Sequence, residues 1–275
     1  EILGHREDGF HDIVSILQAV DLNDTITLSL AQDITISCND PLLLGPDNLA
    51  FKAAELLKDS TGYSAGVTID ILKSIPVAAG LGGGSSDAAA VLLALNDMWG
   101  LKKPINELTN IAEQLGSDVP FFLHKGTAMA SGRGEKIRPL PDAALEWILI
   151  VSPDISLENK TGEAFKAANA SIYTKGALTR KLEARIRVGK DVPPQFLFNA
   201  FDGLAEEIYP GIKDYKFAME SLGLREIHLC GSGPSLFSIV NRREIGSAIQ
   251  LLLSHTKGIN AYLVRTLGSV EKLPS

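Results

Sequence analysis

The chain has 275 residues, 45% hydrophobic and 21% charged, with a formal net charge of −7 and a pI near 5.3. That length allows one large domain or two smaller ones. The acidic balance argues against nucleic-acid binding, and no run reaches the roughly 18 unbroken apolar residues of a membrane helix.

His11 to Val20, Asp24 to Leu30 and the shorter Ile34 to Cys38 read as strands. Asp47 is the expected N-cap of a helix from Asn48 to about Lys58, with Leu49, Ala53, Leu56 and Leu57 on one face and Gly62 beyond its end. Gly66 to Lys73 is strand-like, and a helix from Asp87 to Trp99 stops at Gly100. A second helix covers Ile105 to Leu115, and paired strands flank Ser131-Gly-Arg-Gly134. A boundary near Asp142 to Leu145 divides the chain into residues 1–143 and 144–275. Beyond it the expected helices are Thr161–Ala170, Leu178–Val188, Phe198–Ile208, Ile212–Leu222 and Glu244–His255. The expected strands there are Trp147–Val151, Glu226–Leu229, Leu236–Val240 and Ala261–Arg265. The pattern is α+β, with antiparallel strands and helices segregated to one side. Cys38 and Cys230 form no disulfide framework or metal spacing, which suits a reducing cytoplasm, and no stretch reads as a signal peptide. His5, His11, His124, His228 and His255 are scattered, so no protein metal site is expected.

The most informative stretch is Pro76-Val77-Ala78-Ala79-Gly80-Leu81-Gly82-Gly83-Gly84-Ser85-Ser86, a glycine-rich loop between a strand and a helix. A helix start offers unpaired N–H groups and a positive dipole end, and glycines let backbone approach an anion. Ser85 and Ser86 can cap the helix or donate to phosphate or metal-bound water. Neither the P-loop nor the dinucleotide fingerprint fits: Ser85 stands where a P-loop has Lys, and no third Gly or Ala falls at Ser85 or Asp87. A plain flexible turn is the alternative. Three further segments carry candidates. Asp118, in Gly116-Ser-Asp-Val-Pro-Phe-Phe122, is a capping or turn aspartate, or a carboxylate held as a general base. Gly231-Ser232-Gly233-Pro-Ser235 is a turn between strands. Gly4 to His11, with Gly9, reads by itself as a surface turn.

Taken together, Pro-x-x-x-Gly-Leu-Gly-Gly-Gly-Ser-Ser-Asp-Ala-Ala, Gly-Ser-Asp-Val-Pro-Phe and Gly-Ser-Gly-Pro-Ser resemble the GHMP kinases (galacto-, homoserine, mevalonate and phosphomevalonate kinases). The triple glycine and Gly4-His-Arg-Glu-Asp-Gly-Phe-His11 most resemble the branch whose alcohol substrate is linked to a cytidine diphosphate. The resemblance implies a two-domain fold, with an N-terminal ribosomal-protein-S5-like half and a C-terminal ferredoxin-like half. It implies ATP and Mg2+ as cofactors, the loop Pro76 to Ser86 on ATP, and Asp118 as the catalytic carboxylate. Lys73 and Asn48 match family residues near the adenine; read blandly, they are a strand end and a helix start. Phe10 by stacking and His11 by hydrogen bonds would hold the cytosine, with Gly231, Ser232 and Gly233 facing substrate phosphates. A second stacking aromatic is expected near Gln195 to Asn199. The family's Ala-Pro-Ala-Lys-x-Asn strand has no match here and is expected upstream of Glu1. Without that lysine, residues 1–275 by themselves are expected to be almost inactive. Two other readings stay open: a different GHMP kinase, acting on homoserine, a mevalonate derivative or a sugar, and a nucleotide-binding module without catalysis.

Overall fold

The computed structural model describes residues 1–155, 157 and 159–269. Four strands make the first sheet, in the order β1 (Ile2–His5), β2 (His11–Gln18), β6 (Thr127–Gly132), β7 (Lys136–Pro139). A three-stranded sheet has the order β3 (Thr25–Ala31), β5 (Gly66–Leu72), β4 (Thr35–Cys38). Its β3–β5 pair is antiparallel, but β4 runs parallel to β5. That departs from the all-antiparallel expectation, because α1 (Leu49–Thr61) crosses over between β4 and β5.

Helices cover one face of this sheet. Leu57 of α1, Ile69 of β5, Leu92 and Leu95 of α2 (Gly83–Met98) and Leu108 of α3 (Ile105–Leu115) share one core and are almost wholly buried. Each such side chain contributes about 1.5–3 kcal/mol through loss of apolar surface to water. The N-cap of α1 is Asn48, not Asp47: its Oδ1 accepts from Ala50 N at 2.9 Å, while Asp47 pairs with Lys52 at 3.0 Å. Val119 to His124 forms a short helix, α4, with Pro120 in its first turn, where a missing N–H costs nothing.

A second four-stranded sheet, β11 (Asn260–Arg265), β8 (Trp147–Ser152), β10 (Leu236–Val240), β9 (His228–Leu229), is antiparallel throughout. The apolar run Trp-Ile-Leu-Ile-Val-Ser forms β8, an interior strand, which explains its lack of polar alternation. Helices α5 (Lys160–Ala167), α6 (Ala177–Arg187), α7 (Ala205–Ile208), α8 (Ile212–Ser221) and α9 (Arg243–Leu251) complete this half. The expected helix Phe198–Ile208 is a 3-10 turn over Ala200–Leu204 followed by the four-residue α7; Asn199 caps that turn from Phe201 N, and Gly203 weakens any longer helix.

The two halves share cores. Val14, Met129 and Leu140 pack with Leu182 and Ile186 of α6, and Ile2 joins the cluster around Leu149 and Val151. The second half therefore closes over the β1–β2 hairpin. The turn between β9 and β10 is carried against the turn that precedes α2.

Candidate active site

Helix α2 begins at Gly83, with Gly82 as its N-cap (φ 70°) and no side-chain cap. The last two glycines of the loop are thus the first turn of the helix, and Ser85 and Ser86 lie inside it rather than capping it. The Ser86 hydroxyl donates back to Gly83 O at 2.7 Å, and that of Ser85 has no hydrogen bond to any described residue. The first N–H groups of a sixteen-residue helix are left without side-chain partners beside a chain of small residues.

The residues ahead of the helix turn back sharply. Val77 and Ala78 are exposed, Ala79 is buried, and Gly80 has φ 80°. A β-carbon on Gly80 would come 2.5 Å from Gly233 O and 2.6 Å from Cys230 O, so only glycine lets the two loops meet there. Ser235 N donates to Ala79 O at 3.1 Å, fastening the same seam.

Beneath the loop, the Lys73 ammonium engages the carboxylates of Asp24 and Asp87, the latter at 3.3 Å, and all three side chains are almost wholly buried. Asp24 also accepts from Ser74 N and Ile75 N at 2.6 and 2.9 Å. Burial pushes the Asp87 carboxyl well above the usual range; Lys73 opposes this and Asp24 adds to it. Asn48 likewise uses its whole amide, accepting from Ala50 N and donating to Leu43 O at 2.9 Å. Neither Lys73 nor Asn48, as placed, points a free polar group outward. The bland reading of Asn48 as a helix start describes its side chain, whereas Lys73 is an interior cation rather than a solvated strand end.

The turn Gly231-Ser232-Gly233 is held from four directions. Asn199 Nδ2 donates to Leu229 O and Gly231 O at 2.9 and 2.7 Å, and Tyr209 Oη to Ser232 O at 2.6 Å. Lys160 Nζ donates to Gly233 O at 2.9 Å, and the Thr161 and Ser232 hydroxyls lie 3.2 Å apart. Sequence reading missed Asn199, Tyr209 and Lys160 as partners of this turn, since nothing in their spacing links them to it.

Asp118 immediately precedes α4 yet makes no capping hydrogen bond with its side chain. The residue keeps exposed surface, but protein atoms surround its carboxyl group. One neighbour is the β6–β7 turn, where a β-carbon on Gly134 would lie 4.0 Å from Asp118 Oδ1. Desolvation raises its pKa and the charge of Lys160 pulls it back. Desolvation lowers the Lys160 ammonium to about 8, against the charge of Asp118. The Cys230 thiol is itself pushed up to about 12 by burial and stays protonated.

Phe10 lies at the tip of the β1–β2 hairpin, 52% exposed, with the Arg133 guanidinium 4.8 Å from its ring centre. His11 stacks on Phe165 of α5 at 5.2 Å and meets His5 and Tyr173 edge-on. Burial and His5 lower the pKa of His11, so its ring is neutral at pH 7, and its Nε2 is buried without a partner among the described residues. The aromatic brought beside His11 is Phe165, not one from Gln195 to Asn199. Phe196 lies under Arg185 at 4.8 Å in the cluster around α6, because the Pro193-Pro194 turn directs it there.

Known proteins resemble this chain along nearly its whole length. Residues 48–126 match the GHMP kinases N terminal domain. The chain is 37% identical over 272 residues to the 4-diphosphocytidyl-2-C-methyl-D-erythritol kinase of Dehalococcoides mccartyi, covering 98% of this chain and 95% of that protein. It is 36% identical to the protein of that name from Gloeobacter violaceus, covering 97% and 90%. A crystal structure of 4-(cytidine 5'-diphospho)-2C-methyl-D-erythritol kinase superposes with a TM-score of 0.81 at 29% identity, over 97% of this chain and 94% of the other. A homoserine kinase from Cytophaga hutchinsonii shares the fold, with a TM-score of 0.72 at 20% identity over 92% and 89%. With relatives above a third identical over nearly the whole of both chains, and a match to the family's N-terminal domain, the chain belongs to the GHMP kinases, in the family of the 4-diphosphocytidyl-2-C-methyl-D-erythritol kinases.

Proposed function

We propose that this chain transfers the γ-phosphoryl group of ATP to the 2-hydroxyl of 4-diphosphocytidyl-2-C-methyl-D-erythritol, in the cytoplasm, as a step of non-mevalonate isoprenoid precursor synthesis. The observation that carries the mechanism is Asp118: a carboxylate at a helix start that leaves its own helix uncapped and so keeps its oxygens free to accept a proton. Its raised pKa makes it a better proton acceptor near neutrality than an ordinary aspartate. The loop Pro76 to Gly82 and the first turn of α2 supply N–H groups to the ATP phosphates. Lys73 and Asn48 act here as scaffold for that loop and for α1, and any purine contact near them comes from backbone.

Mg2+ belongs to the same reading. Mg2+ bound to ATP keeps several waters and takes its other ligands mainly from phosphates. The unpartnered Ser85 hydroxyl in the first turn of α2 is the residue that fits beside it, and Mg2+ there would neutralise charge between the β- and γ-phosphates. No helix among the described residues is long and apolar enough to cross a membrane.

Phe10 offers a π-face to the cytosine, and Phe165 with His11 a second aromatic wall carrying a polar edge. Phe10→Ala is expected to weaken the alcohol substrate by roughly 1–3 kcal/mol and to spare ATP. Calorimetry with each ligand checks this, and equal losses for both would locate Phe10 elsewhere. Gly83→Val is expected to weaken ATP by about 2 kcal/mol or more, which is at least tenfold in Kd. Its β-carbon would meet Lys73 Nζ at 2.8 Å and Ile75 Cγ2 at 3.0 Å, so the damage comes from below the loop rather than by direct obstruction of phosphate. Unchanged ATP affinity in a folded variant would remove this loop from the ATP site.

The direct test of the function is ATP consumption with a panel of alcohols: the cytidine diphosphate-linked substrate, homoserine, mevalonate and galactose. ADP formation confined to the first supports the reading; turnover of another overturns it.

A further inference from the structure

Lys160 has no place in the motifs that identify the family, yet it is built into the site. It is the first residue of α5, and its Nζ donates to Gly233 O at 2.9 Å. That same carbonyl lies against Gly80, where a β-carbon would approach it to 2.5 Å. The ammonium therefore sits at the seam of the two glycine turns. Its charge and that of Asp118 each move the other's pKa, although the two form no direct ion pair. An ammonium has three donors, and one is used on Gly233 O. Among the described residues no carboxylate lies within ion-pair distance of it, so two donors of a desolvated cation remain for a ligand at that seam.

We propose that Lys160 is a further catalytic residue, whose ammonium contacts the oxygens of the phosphoryl group in transit between ATP and the alcohol. This rests on the kinase reading above. In that step the alcohol oxygen forms a bond to the γ-phosphorus as the bond from the γ-phosphorus to the β,γ-bridging oxygen breaks. The electron pair of the broken bond remains on ADP, and the alcohol proton passes to Asp118. Charge spreads over the equatorial oxygens during transfer, and a preorganised cation in a water-poor site stabilises it more than bulk water does. Lys160 has a second use: its bond to Gly233 O ties the turn of the second half to the group being transferred. The titratable groups whose charge reaches Lys160 are Asp118 and Cys230; the thiol stays neutral, so Asp118 is its only charged neighbour among them.

The test compares Lys160→Gln, which keeps an N–H donor for Gly233 O, with Lys160→Met, which keeps neither donor nor charge. Circular dichroism and melting confirm that each is folded, and either folded variant suffices. Expected is a fall in kcat of about 10²- to 10³-fold, the loss seen when a preorganised donor to a developing oxyanion is removed. Calorimetry without the alcohol adds a readout that loop damage would not give: weaker binding of a non-hydrolysable ATP analogue, with ADP affinity unchanged. A variant with wild-type kcat overturns the proposal, and so do equal losses for ADP and the triphosphate analogue, which would mean that Lys160 only holds the turn. The nucleotide arm needs no alcohol. If wild type turns over another alcohol instead of the cytidine diphosphate-linked substrate while the arm gives the expected split, the substrate assignment falls and Lys160 keeps its phosphate contact.

Discussion

Asp118→Asn is expected to lower kcat by about two to four orders of magnitude while ATP affinity changes little. The amide keeps the shape of the carboxylate, and the native side chain caps no helix, so the fold loses nothing it depends on. What disappears is the proton acceptor. The wild-type rate should also carry an acidic limb: Asp118 serves as base only when ionised, and its pKa lies above the ordinary carboxylate value because of desolvation. Activity should therefore begin to fall at a higher pH than an exposed aspartate would give, and the limb should vanish in the asparagine variant. Single-turnover kinetics, where chemistry is isolated, check both points. A variant that retains more than roughly a tenth of wild-type turnover there, or keeps the acidic limb, would assign the proton to another group.

How far the sequence discloses this site depends on whether a feature is local. The glycine loop, the carboxylate before Val119-Pro120 and the Gly231-Ser-Gly turn are contiguous, and their residue types follow from what a backbone must do at a helix start or a tight turn. They are legible for that reason, as is the periodicity of α1, α2, α3 and β5. The partners that hold them are not contiguous. Asp24 lies 49 residues before Lys73, Asn199 lies 32 before Gly231, and Lys160 lies 73 before Gly233. No spacing rule joins such pairs, because tertiary closure alone creates them. The misplaced N-cap shows the complementary limit: Asp47 and Asn48 are adjacent good caps, and residue type alone does not choose between them. Phe165 was invisible for a third reason. An aromatic on an ordinary amphipathic helix is usually core, and Phe165 does pack on Phe201 while presenting its other side to His11.

Lys73→Met is expected to destabilise the fold by about 3–5 kcal/mol, the cost of leaving a buried carboxylate without its cation. Two carboxylates are involved, Asp24 and Asp87, both almost wholly buried beneath the glycine loop. The effect should depend on pH with a definite sign. Burial already raises the Asp87 pKa in the folded chain, so folding favours its protonated form. That contribution is fully present below the unfolded value near 3.8 and is lost as pH rises through the elevated folded value. Lys73 opposes the rise; removing it moves the folded value higher still and steepens the loss toward neutrality. The destabilisation measured by urea unfolding should accordingly be larger at about pH 8 than at about pH 5, where Asp87 can protonate instead. A double variant, Lys73→Met with Asp87→Asn, should recover part of the stability at the higher pH, since it removes one of the two stranded charges. A Lys73→Met protein as stable as wild type at both pH values would mean that the buried triad does not hold the loop, and the first turn of α2 would then owe its position to packing alone.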